Sequence, residues 1–371
     1  MTGNSSTSSS RKPQKPEKAR KLPEKWLGKP YYSLDAYCKN TFQRKCFKIA
    51  LNARMTCPNR DGTLGSRGCI FCSQGGSGEF AMETAGKGDI AAQLQAGFAL
   101  IAKKLPPAGT ATAKPGLSAT PEPELPSTAE PALSVPGSLY VQPCIIAYFQ
   151  AYTNTYPPLP YLEQIFSEAL ETPFVLGISI ATRPDCLPPQ VLELLAGLKN
   201  RYPDKFIWVE LGLQTIHDKT AAYIRRGYPL SCFDGAVKNL QAINIPVIVH
   251  MILGLPGEGP SQMLETISYL NAVNPFGVKL QLLHVLEDTD LAAAYRNGEF
   301  SVLTLEGYLD ILISCLEHLS PDVIVHRVTG DGPKKILIAP DWSGDKKKVL
   351  NTLHHLMRER ESFQGRCLKT C

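Results

Sequence analysis

The strongest constraint on the fold of this chain is an exchange of two hydrophobic periods between residues 144 and 283. Cys144 to Phe149, Val175 to Ala181, Phe206 to Leu213, Val247 to Leu253 and Val278 to Leu283 are near-continuous, β-prone apolar runs. Between them lie stretches with the striped period of amphipathic helices: Leu159 to Glu171, Pro188 to Asn200, Ser231 to Ile243 and Pro260 to Val273. Strands that alternate with helices, and are apolar along their whole length, belong to a parallel sheet covered by helices. Upstream, Lys45 to Leu51 reads as a further strand. A helix follows from Asp89, with Ile90, Leu94, Phe98 and Ile101 on one stripe. The result is about six β/α units, short of the eight that close a full barrel. The expected fold class is α/β, a partial, TIM-like (β/α)6 barrel with an α-rich C-terminal extension.

The chain divides accordingly. Residues 1–30 read as a disordered basic tail, 31–298 as the barrel and 299–371 as a helical extension, whose Gly-rich loop Thr329 to Pro333 precedes a last helix from Lys346 to Glu361. Within the barrel, residues 105–138 are rich in Pro, Ala, Thr, Ser and Glu and form a flexible insertion rather than a domain. The tail holds eight Lys or Arg against two Glu, a net of +6, whereas the whole chain carries only +5. The body is therefore near neutral, and its charge gives no argument for nucleic-acid binding; an RNA partner is left possible but not indicated. No run approaches the ~20 apolar residues that span a bilayer, so no membrane partner is expected. Eleven irregularly spaced cysteines, without a secretory signal, suggest a reducing compartment. The expected location is cytoplasmic, with organellar targeting by the tail left open.

Cys57, Cys69 and Cys72, spaced C-x11-C-x2-C, fall in the loop after the first predicted strand. The short gap turns two sulfurs toward one metal or one cluster, and Gly62, Gly65 and Gly68 let the longer arm fold back. A structural zinc site needs four ligands, usually two close pairs. No second C-x2-C or H-x3-H follows within about a hundred residues, so an iron–sulfur cluster with one non-cysteine iron fits better than zinc. Three buried, inert cysteines are the plain alternative. The other cysteines (Cys38, Cys46, Cys144, Cys186, Cys232, Cys315, Cys367 and Cys371) show no second cluster pattern. In β/α barrels the reactive groups sit on loops after the C-terminal ends of strands. The cysteine loop therefore shares one rim with Gln150, with Thr182 to Asp185, with Gln214 and with Gly254 to Glu258.

These motifs together resemble the radical S-adenosylmethionine (SAM) superfamily across most of residues 31–341. Phe71 stands before the last cysteine, and Gly75-Gly76 resembles the glycine motif that meets the methionine amino group. Thr182-Arg183-Pro184-Asp185, Glu210-Leu211-Gly212-Leu213-Gln214 and His250-Met251-Ile252-Leu253-Gly254-Leu255-Pro256-Gly257-Glu258 resemble the elongator-type and coproporphyrinogen-oxidase-like branches. Ser73 to Ala81, Tyr148 to Thr155 and His326 to Pro333 are similar to the YhcC-like family, whose substrate is uncharacterised. The cysteine spacing departs from the superfamily's commonest C-x3-C-x2-C and agrees with that family.

The resemblance implies an enzyme with a 4Fe-4S cluster on Cys57, Cys69 and Cys72. S-adenosyl-L-methionine would chelate the fourth iron, and a 5′-deoxyadenosyl radical would act on an unknown substrate. An electron donor such as flavodoxin or ferredoxin is implied as a partner. Cofactor contacts carry over to Gly75, Gly76, Arg183, Glu210, Gln214, His250 and Gly254. Each has an alternative: a plain turn for Gly75 and Gly76, an ion pair with Asp185 for Arg183, and a cap for Gln214. Glu210 needs a partner inside the barrel, His250 can be a hydrogen-bonded core residue, and Gly254 can belong to a simple loop. Tyr148, Gln150, Tyr152, Asn154, Lys279, Gln281, His284 and the loop Arg327 to Pro333 are candidates for the substrate side. Two rival readings are a tRNA- or RNA-modifying enzyme and a non-catalytic metal-binding protein.

Overall fold

Every strand predicted above forms in the computed structural model, and each pairs in parallel with its neighbours. The structure describes residues 22–76, 78–82, 89–103, 144–330 and 332–368, and the insertion at 105–138 lies outside them. β1 (Cys46–Leu51), β2 (Cys144–Phe149), β3 (Val175–Thr182), β4 (Phe206–Gln214), β5 (Val247–Leu253) and β6 (Gly277–Leu282) lie side by side in chain order. Helix α1 (Leu34–Phe42) precedes them. Between and after them come α2 (Ile90–Ala102), α3 (Leu159–Glu171), α4 (Pro189–Arg201), α5 (Asp218–Tyr223), α6 (Leu230–Ala242) and α7 (Pro260–Val273). The short strand β7 (Val285–Leu286), α8 (Asp290–Arg296) and α9 (Leu305–His318) lead to β8 (Ile324–Arg327). A final strand, β9 (Leu337–Ala339), pairs antiparallel with β7, and α10 (Lys346–Glu359) follows.

β8 joins the sheet beside β6, so among the described residues the half-barrel has seven parallel strands rather than six. The segment after residue 298 is accordingly not purely helical. β8 was hidden because it is four residues long and its second half, His326-Arg327, is polar.

The helices begin where the sequence supplies caps. Asp89 accepts the amide of Ala92 at the start of α2, Thr304 that of Gly307 at α9, and Asp345 that of Lys348 at α10. Pro260 occupies the first turn of α7, where its missing N–H leaves nothing unsatisfied.

The strands read as continuous apolar runs, but the two faces of the sheet differ. Residues such as Phe149, Ile178, Val209, Leu211, Val249 and Leu280 face the helices and form the main core with Leu162, Phe166, Leu195, Phe233, Ile267 and Leu312. The alternate residues face the barrel axis. At the N-terminal end of the strands Ile146, Trp208 and Ile248 pack with Cys38, Tyr37 and Phe42 from α1, and with Phe206 and Phe276. Trp208 stacks on Phe206 at 4.1 Å, so an aromatic plug closes this end. Above it the inward residues turn polar.

The edges of the open sheet are covered by single bridges. Met82 donates its amide to Ala50 on β1 (2.9 Å), and Val325 on β8 donates to Tyr32 (2.8 Å). Both occupy backbone groups that an exposed edge would otherwise present. The Tyr32 segment is itself held from the far end of the chain: Tyr32 donates to the Gln364 side chain (2.9 Å), and Gln364 to the Pro30 carbonyl (2.9 Å). Trp26 is 1% exposed, in keeping with an ordered chain that begins near Trp26 to Tyr32, so this part of residues 1–30 packs on the body.

Candidate active site at the rim of the half-barrel

The cysteine loop leaves β1 at the rim where strands end, and its arms are tied by side chains that also reach the barrel. Arg60 donates to the carbonyls of Cys72 (2.9 Å) and Ser73 (2.5 Å), fixing the C-x2-C turn. The Asn59 amide donates to the Arg225 carbonyl (2.8 Å) and to the Cys69 sulfur (3.4 Å). Cys69 is held down at about 6 by its hydrogen bond with Cys72, and then by Asn59 and the positive charges of Arg183 and Arg225. Cys72 moves the other way, because its thiol shares that hydrogen bond and is buried. One thiolate beside one thiol is a donor set ready to take a soft or borderline metal centre. Among the described residues no three His, Cys, Asp or Glu side chains converge closely enough to hold a single ion.

All three cysteines line one cavity of about 570 Å³, which runs from the rim down to the polar layer. Gly76, Arg183, Glu210, Gln214 and His250 line it too. Gly76 has φ +57°, and a Cβ there would lie 2.4 Å from the Tyr152 ring, so only glycine lets this turn pass beneath Tyr152. The Tyr152 hydroxyl bonds back to the Gln74 carbonyl. Gln214 ends β4 with φ 60°, and its amide oxygen meets the Tyr228 hydroxyl at 3.4 Å. Arg183 forms the ion pair with Asp185 as a two-pronged contact, Nε to Oδ1 at 2.9 Å and Nη2 to Oδ2 at 2.7 Å. Its guanidinium also lies 5.0 Å over the Tyr228 ring.

Two expected contacts do not line the cavity. Gly75 lies beside Glu79, and Gly254, at φ +84°, faces Leu303. On the substrate side Tyr148, Gln150, Tyr152, Lys279, Gln281, His284, Arg327, Gly330 and Pro333 do line it. Asn154 does not: it is fully buried and its amide braces the carbonyls of Phe149, Ala151 and Ala181. Asp331 lies outside the described residues.

Glu210 finds its partners in the polar layer. Lys48 (2.7 Å) and Ser179 (2.5 Å) donate to Oε1; His250 (2.7 Å) and Lys279 donate to Oε2. Burial alone would raise the carboxyl, but Lys279 and Lys48 hold it well below the usual carboxylate range. Burial and the charge of Lys279 push His250 down to about 4, so it stands neutral with its Nε2 proton on Glu210.

Sequence reasoning overlooked Arg226 and its neighbours. Arg226 is 2% exposed and donates to the carbonyls of Leu213 (3.1 Å), Thr215 (2.6 Å) and Tyr228 (3.0 Å), shaping the strand end that carries Gln214. The signal was Gly227 after two arginines. It has φ +85°, and a Cβ there would press on Asn59 and Arg183.

A model of the radical SAM superfamily matches residues 145–270, and one of the radical SAM C-terminal domain matches residues 275–359. YtqA of Bacillus subtilis is 37% identical over 91% of this chain and 92% of its own length. YhcC of Escherichia coli is 30% identical over 88% of this chain and 92% of its own length. Among solved structures, the archaeal Elp3 of Methanocaldococcus infernus aligns with a TM-score of 0.51 and 18% identity. That match covers 59% of this chain and 55% of that one, and shows a shared fold. By its two matched regions and its near full-length similarity to YtqA and YhcC, this chain belongs to the radical SAM superfamily.

Proposed function

We propose that this protein is a radical SAM enzyme whose 4Fe-4S cluster is held by Cys57, Cys69 and Cys72, with S-adenosylmethionine in the cavity beneath. The observation that carries the reading is the convergence of the three thiols, Gly76, Gln214 and Arg183 on one cavity. When bound, the cluster and S-adenosylmethionine supply an electron and a 5′-deoxyadenosyl radical that removes hydrogen from a substrate. The chain does the positioning. The backbone turn at Gly76 offers close approach to the methionine part, and Gln214 offers an amide to the ribose hydroxyls. Arg183, clamped by Asp185, adds positive charge beside the cysteines. The aromatic plug of Trp208, Phe206 and Phe276 closes the far end of the barrel to water. The electron comes from a donor of the flavodoxin or ferredoxin class.

Anaerobic reconstitution with iron and sulfide, followed by EPR and by quantitation of 5′-deoxyadenosine after reduction, tests this. Cys57→Ala, Cys69→Ala and Cys72→Ala should each lose cluster iron and product together. Zinc bound in place of iron, with no sulfide, would turn the reading toward a metal-binding protein without catalysis.

A second reading, that the substrate is an RNA nucleoside, has one observation in its favour. Exposed Lys334 and Lys335 directly follow Pro333 on the cavity wall, and Lys334 packs over Gly344, just before exposed Lys346, Lys347 and Lys348 at the start of α10. Five lysines beside a mouth suit a phosphate backbone. Filter binding at low salt that shows no RNA affinity removes this reading.

A further inference from the structure

The floor of the cavity carries more positive charge than its own carboxylate balances. Both oxygens of Glu210 are already taken, each by one lysine and one further donor. Lys279 gives a second N–H to the Tyr148 hydroxyl (2.9 Å), and Lys48 a second, longer one to Ser179 (3.4 Å). An ammonium has three donors, so each lysine keeps one beyond these bonds. The two ammonium groups also flank one ring: Lys279 lies 4.4 Å and Lys48 4.7 Å from the Tyr148 centroid.

One lysine would neutralise Glu210 and complete a buried ion pair. The second is surplus to that pair, although Lys279 is 3% exposed. Burying an unbalanced charge is costly unless a counter-charge arrives, and burial here drives Lys279 toward its neutral form. With both amines protonated, Lys48, Lys279 and Glu210 sum to +1, so an anion arriving between them would let Lys279 keep its proton. Arg327 also lines the cavity and makes interactions of its own. For Lys48, Lys279 and Glu210 taken together, the missing partner is a single negative charge with hydrogen-bond acceptors.

We propose that the cavity floor binds a carboxylate of the substrate, seated between Lys279 and Lys48. Only the identification of the bound molecule as the substrate rests on the radical SAM reading. The binding itself does not, and its test involves no radical chemistry.

Full-length protein, before and after cluster reconstitution, is treated with glyoxylate, acetaldehyde or glycolaldehyde phosphate in the presence of cyanoborohydride. A neutral amine and an aldehyde lose water to form an imine, and hydride from cyanoborohydride fixes it as a secondary amine. Peptide mass spectrometry locates the label, with exposed Lys335 as the internal reference for intrinsic aldehyde reactivity. Relative to Lys335, Lys279 or Lys48 should take glyoxylate roughly tenfold faster than acetaldehyde, and acetate in excess should suppress the difference. Equal rates would overturn the proposal. Faster labelling by glycolaldehyde phosphate than by glyoxylate would replace the carboxylate by a phosphate and overturn it too. Full protection by S-adenosylmethionine alone would give the floor to the cofactor, with the same consequence. If 5′-deoxyadenosine never forms but glyoxylate labelling is selective, the site stands and only the radical reading fails.

Discussion

Replacing Glu210 with Gln is the sharpest perturbation of the polar layer. Glutamine keeps the shape but has one acceptor oxygen and an NH2 in place of the second. Whichever way it turns, that NH2 faces two donors, either Lys48 and Ser179 or His250 and Lys279. A hydrogen bond to a charged group is worth about 1.5–3 kcal/mol, and at least one such bond is lost outright. The two lysines then face each other without the carboxylate. Breaking a buried pair from one side costs about 3–5 kcal/mol. Lys279, already driven toward neutrality by burial, relieves part of this by losing its proton, so about 3 kcal/mol is expected. Urea denaturation followed by far-UV circular dichroism measures it. Adding Lys279→Met should recover at least ~1 kcal/mol, because it removes a buried amine left short of an acceptor. A Glu210→Gln protein within ~0.5 kcal/mol of the parent would mean that the carboxylate is not the hub of this layer.

Three further outcomes follow from the same structure. His250 sits at about 4 when folded, against about 6.5 in an unfolded chain, so the unfolded state takes up the proton first as pH falls. Its stabilisation is whole above pH 6.5 and is lost toward pH 4, by up to about 3 kcal/mol; buried His326 adds the same sign, so His250→Asn should flatten only part of the pH profile measured by urea melts. Gly76→Ala must hold a side chain at φ +57° against the Tyr152 ring, a strain of about 1–2 kcal/mol, and should weaken S-adenosylmethionine binding in equilibrium dialysis more than it lowers the melting midpoint. Unchanged affinity would show that this turn does not approach the cofactor. Trp26→Ala should cost about 3–5 kcal/mol in thermal or urea melts, because a residue that is 1% exposed leaves a cavity; a loss under ~1 kcal/mol would return residues 22–30 to the tail.

The outer face of the sheet was legible because its apolar period alone fixes which residues meet the helices. Val247 to Leu253 was read as one apolar run, and every second residue does enter the core. The inner face was legible only as oddities. A Glu inside β4 and a His inside β5 announced buried polar groups, and Glu210 was expected to need a partner. That Lys48 and Lys279 supply it depends on register: His250 lies opposite Lys279 across β5 and β6, while Lys48 reaches over from β1. Such pairings come from sheet topology and leave no local mark. α1 and β8 escaped for a related reason. Each is short, and each is held by distant residues, α1 by Trp208 and Phe276, β8 by the β6 backbone. Asn154 looked like a substrate contact because a polar residue at a strand end has no apolar pattern to betray its burial.

The clasp between the two ends of the chain has a bearing on how the protein is made. Tyr32 closes on Gln364, 332 residues later, and its carbonyl secures the last strand of the sheet. At ribosomal speeds of about 5–20 residues per second, the first partner waits roughly 20–60 s for the second. During that interval the cysteine loop has already emerged, while the sheet still lacks β8 and its edge is unguarded. The sheet therefore gains its last guard only as synthesis finishes, and a C-terminal truncation before Gln364 leaves the Tyr32 segment without its clasp.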